Sequence, residues 1–211
     1  MDMFAEDRER MVERQIAARG IDDPAILAAF RAIPRERFVP PERIAEAYDD
    51  APVAIEAGQT VSQPYIVALM IALAGIGPDS RVLEVGAGSG YAAAILGRIA
   101  REVVAIERQG ELARLAATRV RALGLGNVRI VEGDGRAGWR DGAPYDAIIV
   151  SAAAPRVPEA LTAQLAEGGR LIVPVGAQDG EQRLLRLRRG AGSASAPEDF
   201  GPVRFVPLIG G

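Results

Sequence analysis

The sequence predicts an α/β fold, a doubly wound and mostly parallel sheet with an N-terminal helical cover, on three observations. The apolar stretch 82–85 empties into a glycine run, Gly86-Ala87-Gly88-Ser89-Gly90, which opens an apolar helix. From Arg81 onward, apolar strands alternate with helical segments, the pattern of parallel strands joined by crossover helices. Three acids, Glu84, Glu107 and Asp134, fall within or just after consecutive strands, and ligands gather at strand C-terminal ends in open α/β sheets.

The elements follow in order. Residues 3–19 read as an amphipathic helix, with Phe4, Met11, Val12 and Ile16 near helical spacing and Gly20 as its stop. Asp23 before Pro24 is an N-cap followed by proline at the first helical position, and Pro34 ends the apolar run Ile26, Leu27, Phe30, Ile33. The proline-punctuated segment 34–41 leads to Gly58-Gln59-Thr60-Val61-Ser62-Gln63-Pro64 and the helical run 65–73, with Ser62 or Gln63 as N-cap. Beyond the glycine run, the pattern gives a helix over 92–99 and strands over 102–106, 128–131 and 145–150. A helix over 158–165, the Gly168-Gly169 turn, a strand over 170–175, a hairpin turn over 176–182 and a strand over 183–187 come next. Residues 190–200, rich in Gly, Ala, Ser and Pro, are expected as a mobile loop before a last strand over 203–207. One domain of 211 residues is expected: a cover and substrate loop over 1–75, a cofactor-binding core over 76–175 and C-terminal strands over 176–211.

Composition narrows the chemistry. The chain has no cysteine and no histidine, which removes thiolate nucleophiles, disulfides, cysteine or histidine metal sites and every mechanism that needs an imidazole base; no metal is expected. A formal charge of -3 does not invite nucleic acid or an anionic membrane, and all 25 basic residues are arginine. The run Arg183-Leu184-Leu185-Arg186-Leu187-Arg188-Arg189 reads as a strand with a solvated face near the sheet edge rather than a binding patch. With no apolar run of about 20 residues and no signal-peptide core, a soluble, cytoplasmic protein is expected, and a monomer.

The glycine spacing decides the cofactor. A dinucleotide fingerprint puts its third glycine where this chain has Tyr91; the observed G-x-G-x-G order, with Glu84 inside the strand, favours S-adenosylmethionine over NAD. Glu84, Gly86, Ala87, Gly88, Ser89 and Gly90 are the loop candidates. Glu107, about 20 residues on, suits the ribose hydroxyls, and Asp134, at the end of the next strand, suits the adenine amino group. The plain alternative for each acid alone is a strand or helix cap, and for Ser62 a helix N-cap. The functional alternative has the Ser62 hydroxyl and the free N–H groups of the next helix facing a substrate carboxylate.

Thr60-Val61-Ser62-Gln63-Pro64-Tyr65 resembles the signature of protein-L-isoaspartate (D-aspartate) O-methyltransferases. It stands in family order with residues 82–91, Gly133-Asp134-Gly135, Ala152-Ala153-Ala154-Pro155, residues 168–176 and Val203-Arg204-Phe205-Val206-Pro207-Leu208. The glycine loop alone marks a class I S-adenosylmethionine-dependent methyltransferase; the Ser-Gln-Pro block with the Arg-Phe-Val-Pro ending is far more specific. The resemblance implies that Ser62 is the active-site serine and that Glu107, Asp134 and Gly135 are cofactor contacts. It further implies that Thr60, Val61, Gln63, Pro64, Arg204 and Val206 belong to the peptide site. Ala87 replaces a frequent Thr, Val61 a frequent Ile, and Glu36 stands where a His is common, none at the position assigned to catalysis.

The implied reaction is carboxyl methylation of isoaspartyl residues in peptides and damaged proteins, whose ester closes to a succinimide that reopens partly to aspartate. A carboxylate with a pKa of about 4 is ionised at neutral pH, so the missing histidine is no objection. A carboxyl methyltransferase acting on a small acid or a ribosomal peptide product, and a peptide-binding relative without turnover, are the competing readings.

Overall fold

The computed structural model describes residues 3–191 and 195–210. Helix α1 (Ala5–Met11) continues through a π turn and a 3-10 turn as far as Arg19, and Gly20 ends it in the left-handed region at φ 88°. Met11, Val12 and Ile16 are buried on its inner face. In α2 (Pro24–Ala32) the Asp23 carboxylate accepts from the Ala25 and Ile26 amides, satisfying two of the helix's unpaired donors as the sequence predicts. Short 3-10 turns then lead to a small antiparallel pair, β1 (Val53–Ala54) and β2 (Thr60–Val61), which the sequence reading did not contain. Helix α3 (Pro64–Ala74) is apolar nearly all round because the cover packs on one side of it and the sheet on the other.

The sheet has seven strands. Its parallel part holds β3 (Arg81–Val85), β4 (Glu102–Glu107), β5 (Val128–Glu132), β6 (Tyr145–Val150) and β7 (Leu165–Gly176). Antiparallel β8 (Gln182–Arg188) and β9 (Glu198–Val203) extend one side, giving the order β5-β4-β3-β6-β7-β8-β9. Helices α4 (Tyr91–Ile99) and α5 (Gly110–Ala122) cross between the first three parallel strands, and α6 (Glu159–Thr162) precedes β7. β3, β4 and β6 are covered on both faces, so apart from Glu84 and the exposed Asp146 they read as apolar runs rather than alternating ones. Order β4-β3-β6 makes the C-terminal end of β3 a topological switch point, where such sheets bind ligands.

Two expectations are corrected. The helix expected over 158–165 is four residues long, and Leu165 already pairs with Tyr145 at the start of β7; the Gly168-Gly169 pair lies inside that strand, beside a register shift. The last strand runs over Glu198–Val203, not 203–207. Cross-strand ion pairs of Arg183 with Asp199 and Arg186 with Glu198 hold it on β8, while Pro207 makes only an isolated bridge to Ala153. The arginine-rich run is therefore a paired strand, as read from the sequence. Of the loop expected over 190–200, residues 192–194 lie outside the described residues, and 198–200 are strand.

Candidate active site

Where β3 ends, Gly86, Gly88 and Gly90 adopt φ of 88°, 51° and 88°, a region that costs glycine little and side-chain-bearing residues much more. The turn is bound to its neighbour strand, since the Gly86 and Ala87 amides both donate to the Ile106 carbonyl at 2.9 Å. At the end of β4, Glu107 accepts from the Gly88 amide at 2.8 Å and from the Gln109 amide at 2.9 Å. Those bonds fix the carboxylate while leaving lone pairs on both oxygens for a diol.

Three connected spaces meet here. A cleft of about 360 Å³ runs over Gly86, Gly88, Ile106, Glu107 and Gly135 beneath the tail residues 206–209. A small inner cavity of about 40 Å³ is lined by Val61, Ser62, Glu84, Ala87 and Ser89. An outer cleft of about 380 Å³ lies between Ser62, Gln63 and Ile66 on one side and Arg204, Phe205 and Val206 on the other. Thr60 and Ser151 line all three, which marks them as the junction.

Glu84 sits at the closed end with 1 % of its surface exposed. The Ser151 hydroxyl donates to its Oε1 at 3.3 Å, and Oε2 has no hydrogen-bond partner among the described residues. Burial pushes the carboxyl up to about 8; the Ser151 hydrogen bond opposes that and the neighbouring Glu107 charge adds to it. A buried carboxyl with one orphaned oxygen, facing a cavity, calls for a cationic ligand group.

The Ser62 hydroxyl makes no hydrogen bond with a described residue, so the plain reading of Ser62 as a cap does not hold: Gln63 is the N-cap residue, and neither side chain caps α3. Gln63 instead donates its amide to the Asp50 carbonyl at 3.0 Å and carboxylate at 2.8 Å, tying the loop to the helix start. Pro64 is buried at the first position of α3 and Gly90 is packed on Ala116, so both shape the site from behind rather than lining it. Asp134 is paired with Arg136 at 3.1 Å and stands beside the cleft, whereas Gly135 lines it. Opposite Ser62, Gln182 is buried and clamps Phe205, donating to its carbonyl at 3.2 Å and accepting from its amide at 2.7 Å. The Ala153 amide donates to the Val206 carbonyl at 2.8 Å, and the Leu208 amide to the Ala153 carbonyl at 2.7 Å, so the tail is fixed as a wall.

Sequence reasoning missed Ser151, Arg108 and Gln109 at the cleft and Gln182 behind it. Their position just beyond the C-terminal ends of β6 and β4 was the available signal for the first three. Among the described residues, no group of three His, Cys, Asp or Glu is placed to hold a metal.

S-adenosylmethionine fits these groups: its ammonium would suit the buried, half-satisfied carboxyl of Glu84 and its ribose diol the carboxylate of Glu107, beside the compact glycine turn. The sheet order, the glycine turn and the cleft define a class I S-adenosylmethionine-dependent methyltransferase. The sequence profile of the protein-L-isoaspartate(D-aspartate) O-methyltransferase family matches residues 6–211, and the chain belongs to that family. It is 56% identical over 207 residues to protein-L-isoaspartate O-methyltransferase 1 of Rhodopseudomonas palustris (strain HaA2), covering 98% of this chain and 84% of that one. A solved protein-L-isoaspartate O-methyltransferase superposes with a TM-score of 0.88 at 32% identity, covering 97% of this chain and 66% of that longer one. A Plasmodium falciparum structure described as a putative enzyme of the same name, in complex with S-adenosyl-L-homocysteine, superposes with a TM-score of 0.82 at 26% identity, covering 96% and 98%.

Proposed function

We propose that the chain methylates the free carboxylate of isoaspartyl residues, with Ser62 orienting that carboxylate and Glu84 and Glu107 holding S-adenosylmethionine. The observation that carries this reading is the uncommitted Ser62 hydroxyl, which lines both the inner cavity and the outer cleft. The chain is an S-adenosylmethionine-dependent protein carboxyl methyltransferase by family.

S-adenosylmethionine, when bound, supplies an electrophilic methyl group on a sulfonium. The chain's part is orientation and exclusion of water. Ser62 donates one hydrogen bond to a carboxylate oxygen already ionised at neutral pH, so no base is required. A stronger grip would work against the reaction, because the carboxylate loses its charge on esterification and tight pairing would stabilise the ground state. Arg204 is exposed at the rim of the outer cleft, where it attracts a carboxylate without burying an ion pair against it. Thr60, Val61, Gln63 and Val206 form the floor and walls within which a peptide backbone lies. Glu107, Gly88 and Gly135 hold the nucleoside half, with Asp134 beside them. A small free acid is not favoured: the outer cleft of about 380 Å³ is open and walled by the tail, and the relatives are protein methyltransferases by name.

The division of labour is tested by two variants assayed on an isoaspartyl peptide. Ser62→Ala is expected to lower kcat by about tenfold or more, equivalent to losing one oriented donor, with cofactor Kd nearly unchanged. Glu107→Ala is expected to weaken cofactor binding. Equal losses of cofactor affinity in both would contradict the assignment.

A further inference from the structure

Behind Ser62 lies a cation that this reading of the site does not use. Arg35, in the Pro34-Arg35-Glu36-Arg37-Phe38 turn of the cover, is wholly buried. Its Nε donates to the Ala47 carbonyl at 2.7 Å and its Nη2 to the Ser62 carbonyl at 3.0 Å. Its guanidinium carbon lies 4.8 Å from the centroid of the Tyr91 ring, and Tyr91 is the first residue of α4, directly after the glycine turn. One rigid fork therefore touches the substrate loop, the cover and the start of the cofactor helix.

The arrangement is an expensive one. Arg35 makes no ion pair with a described residue, and its Nη1 is buried without a hydrogen-bond partner among them. Burial lowers the pKa of the guanidinium, and the adjacent Tyr91 phenol counters that only in part. The nearby carboxylate of Glu36 is already engaged by Arg8 at 3.2 Å and by the Tyr48 hydroxyl. Holding one turn of chain against another is done more cheaply by apolar packing than by an unpaired buried cation. What the guanidinium adds is geometry, since its planar fork fixes two carbonyls at once where a lysine point charge would not.

We propose that Arg35 is a positioning residue for methyl transfer, setting the Ser62 backbone relative to the glycine turn through its simultaneous hold on the Ser62 carbonyl and the Tyr91 ring. The proposal rests on the role given to Ser62. Misplacement of a reacting group by about 1 Å costs on the order of 100-fold in rate, so small slack in this loop reads out in kcat.

The test is a double-mutant cycle on the full chain, with isoaspartyl peptide and S-adenosylmethionine as substrates. Arg35→Met is expected to lower kcat by about tenfold or more in the native background but by less than about twofold in Ser62→Ala, because the side chain it positions is then gone. The KM for peptide is expected to move less than kcat. Arg35→Lys, which keeps the charge and loses the fork, is expected to show the same pattern and serves where Arg35→Met fails to fold. Equal fold losses in both backgrounds, or no loss at all, would overturn the role of Arg35 while leaving Ser62 in place. An unimpaired Ser62→Ala would instead overturn the role of Ser62, and with it any action of Arg35 through that residue.

Discussion

Glu84 is the residue whose environment makes the sharpest claim. Its carboxyl is shifted from an ordinary value of 4.5 to about 8 by burial, so between those values the folded, cofactor-free chain holds a proton that the unfolded chain has lost. Stability must then fall as pH rises across that window, because the native state is the better proton binder there. Below about 4.5 both states are protonated and the group contributes no slope. The expected result is that Glu84→Gln removes this part of the decline in Tm of the cofactor-free protein between about pH 5 and 8, while weakening cofactor binding by calorimetry. An unchanged pH slope would mean that Glu84 does not titrate in that window, and an unchanged affinity that it does not meet the ligand. The acid itself was legible because it stands inside a strand that empties into glycines. Ser151, which donates to it, was missed: its place just past β6 was the one signal the sequence offered, and the sheet order is what brings it to Glu84.

Among the elements, the strands that position the cofactor were readable because they are buried on both faces. The sequence reading placed the bounds of β4 and β6 within a residue, and the glycine turn and α4 followed. β9 and the start of β7 were not readable, since their pairing depends on partners distant in sequence: Glu198 and Asp199 on Arg186 and Arg183, and Leu165 on Tyr145. The same is true of the tail. Its apolar and proline residues suggested a strand, but the segment leaves the sheet after Val203 and Gln182 then takes hold of Phe205. Replacing Gln182 by Leu strands a backbone donor and acceptor, a cost of about 1–3 kcal/mol, and frees one wall of the outer cleft. We expect a lower Tm and a higher KM for peptide, with the cofactor Kd nearly unchanged. Gly90→Ala acts behind the glycine turn: with φ at 88° and an added Cβ 3.0 Å from that of Ala116, it should cost about 1–3 kcal/mol and weaken cofactor binding by shifting that turn. Full stability and affinity in that variant would show the turn to be more forgiving than its geometry.

At the scale of the molecule, cover and sheet share a core. Met11, Ile16 and Phe30 of the cover share a continuous buried cluster with Val82, Val103 and Ile149 of the sheet, and the Arg119–Glu56 pair at 2.7 Å binds the turn after β1 to α5. Among the described residues no helix is long and apolar enough to cross a membrane. Because the cleft spans both parts, cofactor binding should stabilise the whole fold. Saturation at about 100 times Kd contributes about 2.7 kcal/mol, and for a chain of this size that raises Tm by roughly 5–10 °C. Thermal scans of the native chain with and without S-adenosylmethionine check this, and Glu107→Ala should lose most of the shift. The central claim is that this cleft carries a methyl group to an isoaspartyl carboxylate and not to an ordinary one. It is tested most directly by base-labile methyl incorporation from labelled S-adenosylmethionine into one short peptide made with isoaspartate and again with aspartate. Label in the isoaspartyl form alone is the predicted result; equal label in both peptides, or none in either while the cofactor still binds, would contradict it.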